Sequence, residues 1–95
     1  MELVFTERFD RSLRQAPGAV QRAFWKQAGF LLSNLNHPSL RAKKYEGAED
    51  LWQARVNRDW RFYFRIIGNK YQVIIPRHAG NRSASRSAMF WKRGP

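Results

Sequence analysis

The stretch "LWQARVNRDWRFYFRI", residues 51–66, places bulky apolar residues at alternate positions and sets arginines between them. A period of two belongs to a strand with one buried face. Trp52, Ala54 and Val56 have to share a face with Trp60, Phe62 and Phe64, because a one-residue slip would turn one of these sets toward water. Only a loop with an odd number of residues allows this. Asn57, Arg58 and Asp59 serve as that loop, which pairs Val56 with Trp60. On the opposite face the same register sets Arg55 against Arg61 and Gln53 against Tyr63.

Working outward, "KYQVIIP" reads as the next strand, joined through Gly68 and Asn69, a two-residue turn of the II′ pattern with glycine first. This register predicts Phe64 opposite Val73 and Phe62 opposite Ile75, and carries His78 to the face of Arg55, Arg61 and Tyr63. Upstream, "LRAKKYEG" reads as the first strand of the same antiparallel meander. Before it the period is helical. Phe9, Leu13 and Ala16 recur on one side of "ERFDRSLRQA", leaving Arg8, Arg11 and Arg14 outside, and Thr6 is placed to cap that helix. Pro17 suits the first turn of a second helix, whose apolar stripe is Val20, Phe24, Ala28, Leu31, Leu32 and Leu35. It ends near "NLNHPSL", where the residue before Pro38 leaves the helical region and asparagine tolerates a left-handed cap. "ELVFT" at the start reads as a short strand. The expected class is α+β: a short N-terminal strand, a two-helix hairpin, then a twisted antiparallel sheet.

The chain has 95 residues, 43% hydrophobic and 15% aromatic, enough for one core. We expect one domain over residues 1–78 and a basic tail over 79–95, "AGNRSASRSAMFWKRGP" from Ala79, either flexible or partly helical. Eighteen Lys and Arg against seven Asp and Glu give a formal charge of +11, which attracts polyanions or an acidic protein. Cysteine is absent, excluding disulfides, thiolate metal sites and cysteine catalysis. No apolar run approaches a bilayer span and no signal peptide is apparent, so a cytoplasmic chain with no membrane association is expected.

Directly opposed arginines repel by a few tenths of a kcal/mol or more unless an anion bridges them. Guanidinium forks match phosphate geometry, so Arg55 and Arg61 point to RNA phosphate, the alternative being an ordinary solvated sheet face. His78 is the candidate for proton transfer on that face, or else a hydrogen-bonded residue closing the last strand. Lys43 and Lys44 either track phosphates or guard a sheet edge, Tyr63 either stacks on a base or covers the sheet, and Arg65 extends the basic strand. His37, in "NHPS", reads as a turn residue. There is no P-loop, no "HExxH", no carboxylate cluster and no nucleophile elbow, so no metal or cofactor is expected.

The order of elements, with "HPSLRAKKYEG" leading into "LWQARVNRDWRFYF" and a histidine after the last strand, resembles the RelE/ParE superfamily of bacterial type II toxins over roughly residues 2–78. The likeness is to the RelE-like branch of cytotoxic translational repressors, and its most specific part is the "R-V-x-x-x-W-R-F-x-F" run. It implies a toxin held by an antitoxin and an mRNA endonuclease (mRNA interferase) acting without metal, on the ribosome or off it. Carried over by position, Arg61 matches the arginine proposed to contact the scissile phosphate, Arg55 falls at or beside a basic position, and His78 matches the terminal-strand histidine. Gln53 stands where well-studied relatives have a lysine, and no tyrosine follows the last strand. A ParE-like gyrase-binding toxin and a non-catalytic RNA-binding remnant are the alternatives.

Overall fold

The computed structural model describes residues 1–44 and 50–75. In chain order these form strand β1 (Glu2–Phe5), helices α1 (Glu7–Gln15) and α2 (Gly18–Ser33), and strands β2 (Lys43–Lys44), β3 (Leu51–Arg55), β4 (Arg61–Ile67) and β5 (Lys70–Ile74). The helices lie on one face of a five-stranded sheet of order β1-β5-β4-β3-β2. His78 and the tail from residue 79 lie outside the described residues.

Local chemistry sets the helix boundaries. Thr6 is extended and its hydroxyl accepts the Phe9 N–H at 3.2 Å, satisfying one of the donors left open at the start of α1. Pro17 precedes α2 rather than entering its first turn: it is extended, and its carbonyl takes the N–H groups of Val20 and Gln21 at 2.9 and 3.0 Å. At the other end Asn34 is extended (φ −165), so the expected left-handed asparagine cap does not form. The Asn34 side chain instead accepts the Asn36 N–H and its carbonyl the His37 N–H. His37 completes that turn. Its Nδ1 accepts the Ser39 N–H at 3.1 Å and its ring stacks on Phe30 at 3.9 Å.

The meander has the register read from residue parity. Arg55 pairs with Arg61, Gln53 with Tyr63 and Phe64 with Val73. The Val56 N–H reaches the Trp60 carbonyl at 2.9 Å across the three-residue loop. Gly68 has φ +60, the conformation that a glycine-first turn requires. The β4–β5 ladder stops at Tyr63–Ile74, one step short of Phe62–Ile75. Among the described residues of the first meander strand, Lys43–Lys44 is paired, opposite Gln53 and Trp52. These two exposed lysines put charge on the sheet edge, which discourages pairing with another sheet.

β1 makes the sheet mixed. It runs parallel to β5, with Glu2 opposite Lys70 and Phe5 opposite Val73, and so turns β5 into an interior strand.

The core forms between this sheet and the helices. Phe9, Phe24, Phe62 and Phe64 are fully buried, with the Phe24 ring edge-on to Phe62 at 5.1 Å and tilted against Phe9 at 5.2 Å. Each such phenylalanine contributes about 1.5–3 kcal/mol by leaving water. Leu32, expected in the α2 stripe, is 43% exposed, while Gln27, not expected there, is buried.

Candidate nucleic-acid interface

Side chains alternate along β3 and β4, so Gln53 and Arg55 share a face with Arg61, Tyr63 and Arg65, opposite the helices. Both Arg55 and Arg61 are half-buried. Their guanidiniums turn toward the β3–β4 loop and meet on one acceptor. Arg55 Nε donates to the Asn57 carbonyl at 3.2 Å and Arg61 Nη1 donates to the same oxygen at 2.9 Å. Arg61 Nη1 also lies within 3.1 Å of the Trp60 carbonyl and 3.3 Å of the Arg58 carbonyl.

Two positive groups are thus held together by the negative ends of backbone dipoles. The loop has this shape because the Asn57 side chain accepts the N–H groups of Asp59 and Trp60, both at 2.9 Å, in an Asx turn.

Arg55 is fixed at its backbone as well. Its N–H donates to the Leu40 carbonyl at 2.7 Å, and its carbonyl accepts Gln27 Nε2 at 2.8 Å. Gln27 also donates to the Ser39 carbonyl at 3.0 Å and accepts the Ser39 hydroxyl at 3.0 Å, so this buried amide ties α2 to the chain before β2 and to the end of β3. The sequence held a signal for it: position 27 falls on the Val20, Phe24, Ala28, Leu31 stripe, and a polar residue there needs buried partners.

The other expected site residues divide. Lys43, paired with Gln53, lies on the face of Arg55 and Arg61. Lys44, paired with Trp52, lies on the opposite face, its ammonium 6.0 Å from the centroid of the Trp52 ring. Arg65 is exposed on the basic face, between Leu51 and Gln72. Tyr63 is only 8% exposed and clusters with the buried Leu51 and Ile74, so a base reaches its ring only if that cluster opens.

The same arrangement of helices and sheet occurs in solved structures. The YoeB/ParE toxin from Agrobacterium tumefaciens superposes with a TM-score of 0.65, at 18% identity, over 78% of this chain and 93% of that one. A chain of the archaeal RelE-RelB complex from Pyrococcus horikoshii OT3 superposes with a TM-score of 0.63, at 19% identity, over 77% of this chain and 88% of that one. This chain shares the fold of these two structures. No family model and no curated protein matches its sequence. Within this RelE/ParE-type fold the basic face is the outer face of the meander, left uncovered by α1 and α2. Among the described residues no helix is long and apolar enough to cross a membrane.

Proposed function

We propose that this chain is the toxin of a type II toxin–antitoxin pair and cleaves mRNA as a metal-independent endoribonuclease, on the ribosome or off it. The observation that carries this reading is the opposed Arg55–Arg61 pair, held ready on the outer face of a RelE/ParE-type sheet. RNA brings its own nucleophile. The 2′-oxygen forms a bond to the adjacent phosphorus, the P–O5′ bond breaks, and a proton passes in effect from the 2′-hydroxyl to the leaving 5′-oxygen. The products are a 2′,3′-cyclic phosphate and a 5′-hydroxyl.

The protein has to align these atoms, neutralise charge on the phosphorane and move the proton. Arg61 and Arg55 supply the charge and the alignment. His78 is assigned the proton transfer because an imidazole titrates near neutrality and a guanidinium does not. Lys43 and Arg65 extend the phosphate track, Tyr63 is assigned to base stacking once its cluster with Leu51 and Ile74 opens, and Lys44, on the opposite face, adds only to the overall positive charge. The partner is an acidic antitoxin, attracted by the +11 charge, that covers part of the basic face.

Primer extension on cellular mRNA after induction tests this reading. Discrete new 5′ ends should appear for the wild type and fall by roughly 10²- to 10³-fold for Arg61→Ala, the loss typical of one transition-state donor. His78→Ala should in addition lose the limb of the pH–rate profile that reports imidazole ionisation. Filamentation with DNA damage and intact mRNA would instead indicate a gyrase-binding toxin. RNA binding without new 5′ ends would indicate a non-catalytic remnant.

A further inference from the structure

A pocket of about 490 Å³ opens between α2 and the end of β3, beside the Arg55–Arg61 pair. Its polar lining among the described residues is Lys26, Gln27, Ser39, Arg41, Arg55 and Asn57, with no carboxylate and no aromatic ring among them. The uncharged groups are largely committed to the fold. The Gln27 amide is spent on the carbonyls of Ser39 and Arg55, the Ser39 hydroxyl on Gln27, and the Asn57 carboxamide oxygen on the loop N–H groups. The charge of the lining comes from three cations brought from three parts of the chain, of which Arg55 also donates its Nε to the Asn57 carbonyl. Lys26 comes from an exposed position on α2 and Arg55 from β3. Arg41 comes from the loop before β2, where its backbone is left-handed (φ 49), a conformation rarely adopted by residues other than glycine.

Three cations with no acid among the described lining residues make an anion site, and the pocket falls in the size range of small-ligand sites, roomier than a lone ion requires. The described lining holds no aromatic ring for a base to stack on. Arg55 belongs both to this pocket and to the opposed pair, so a strand bound at the pair can continue into the pocket without leaving basic surface. An acidic peptide would also meet three cations, but it has no such continuity to follow.

Resting on the endoribonuclease reading, we propose that this pocket holds a backbone phosphate of the RNA next to the one at Arg55 and Arg61, as an anchor indifferent to base identity.

The test uses the full chain and 2′-O-methyl oligonucleotides, which lack the attacking hydroxyl and persist during titration. Lys26→Ala keeps a good helix former at an exposed site, and Arg41→Gly suits the left-handed backbone, so the double variant should fold. Its affinity for oligouridylate and oligoadenylate should fall about equally, by roughly tenfold at low salt. The slope of log affinity against log salt should shrink by about 0.7 for each phosphate that the variant no longer neutralises. Arg8→Ala/Arg11→Ala, which removes two exposed cations from α1, should leave that slope unchanged.

An unchanged slope in the pocket variant, with Arg61→Ala still weakening binding, would overturn the anchor and leave the RNA-cleaving reading standing. An equal loss in the α1 variant would reduce the effect to net charge and also overturn it. A loss confined to one base would replace the anchor with a base-reading site. Retained RNA binding with lost binding of an oligoglutamate peptide would assign the pocket to an acidic protein. Failure of the wild type to bind either oligonucleotide would overturn both readings.

Discussion

Arg55 and Arg61 stand opposite each other across β3 and β4, and both guanidiniums donate to the carbonyl of Asn57, at 3.2 and 2.9 Å. From sequence alone, such a pair looks like stored repulsion waiting for an anion. The loop carbonyls change that account, because they offset much of the repulsion before any ligand arrives and fix where the two cations sit. A phosphate approaching this face meets charges whose positions are already set, which is the condition under which electrostatic stabilisation is most effective.

Removing Arg61 should therefore cost stability. Arg61→Ala relieves one like-charge repulsion worth a few tenths of a kcal/mol but strips a charged donor from three loop carbonyls. After allowing for water reaching part of the loop, we expect a net loss of about 1 kcal/mol in urea unfolding. A rise in stability would mean that repulsion dominates.

Asn57→Ala should destabilise by about 1–2 kcal/mol, because the N–H groups of Asp59 and Trp60 lose their shared acceptor. Asn57→Asp keeps an acceptor oxygen and should stay close to wild type under the same urea titration. If both variants lose equally, the Asx turn is not what shapes the loop.

Gln27→Leu conserves volume approximately yet withdraws the donor from two carbonyls and the acceptor from the Ser39 hydroxyl. A loss of about 2–3 kcal/mol is expected, with Ser39→Ala costing about 1 kcal/mol. Amide exchange at Arg55, measured by NMR, should accelerate in Gln27→Leu more than exchange at Phe64, since Gln27 holds the end of β3 and not its middle.

What could be read from sequence depended on whether residue type carries the information. The hairpin register could be read, because Trp52, Ala54 and Val56 can match Trp60, Phe62 and Phe64 only across an odd loop. The Gly68 turn could also be read, because its φ of +60 favours glycine. The parallel pairing of β1 with β5 was not legible, since "ELVFT" shows a strand but names no partner more than sixty residues away. Leu32 fits the helical period yet is 43% exposed, since the helical period alone does not say how far the core reaches along the helix. The meeting of two arginines on the Asn57 carbonyl was invisible for a different reason: every residue has a carbonyl, and only the folded loop aims this one. Lys26 and Arg41 were passed over because their approach to Arg55 depends on the turn after α2.

The opposite placement of Lys43 and Lys44 separates RNA bound to the outer face from RNA drawn by overall charge. Both residues are exposed and adjacent, and either alanine variant removes one positive charge, so long-range attraction to a polyanion falls equally in both. Locally they differ. Lys43 shares the face of Arg55 and Arg61 through its pairing with Gln53, whereas Lys44 sits near the Trp52 ring on the face that carries the helices. Lys43→Ala should weaken binding of a 2′-O-methyl oligonucleotide several-fold and reduce the salt slope by about 0.7, the signature of one single-strand phosphate left without its cation. Lys44→Ala should leave the slope unchanged and cost at most about 0.5–1 kcal/mol of stability through the missing cation–π attraction, less if water screens it. Equal slopes for the two variants would mean that RNA reads net charge. A reduced slope for Lys44→Ala alone would move the RNA to the helix-bearing side, and Arg55 and Arg61 could then no longer be the residues that meet the phosphate.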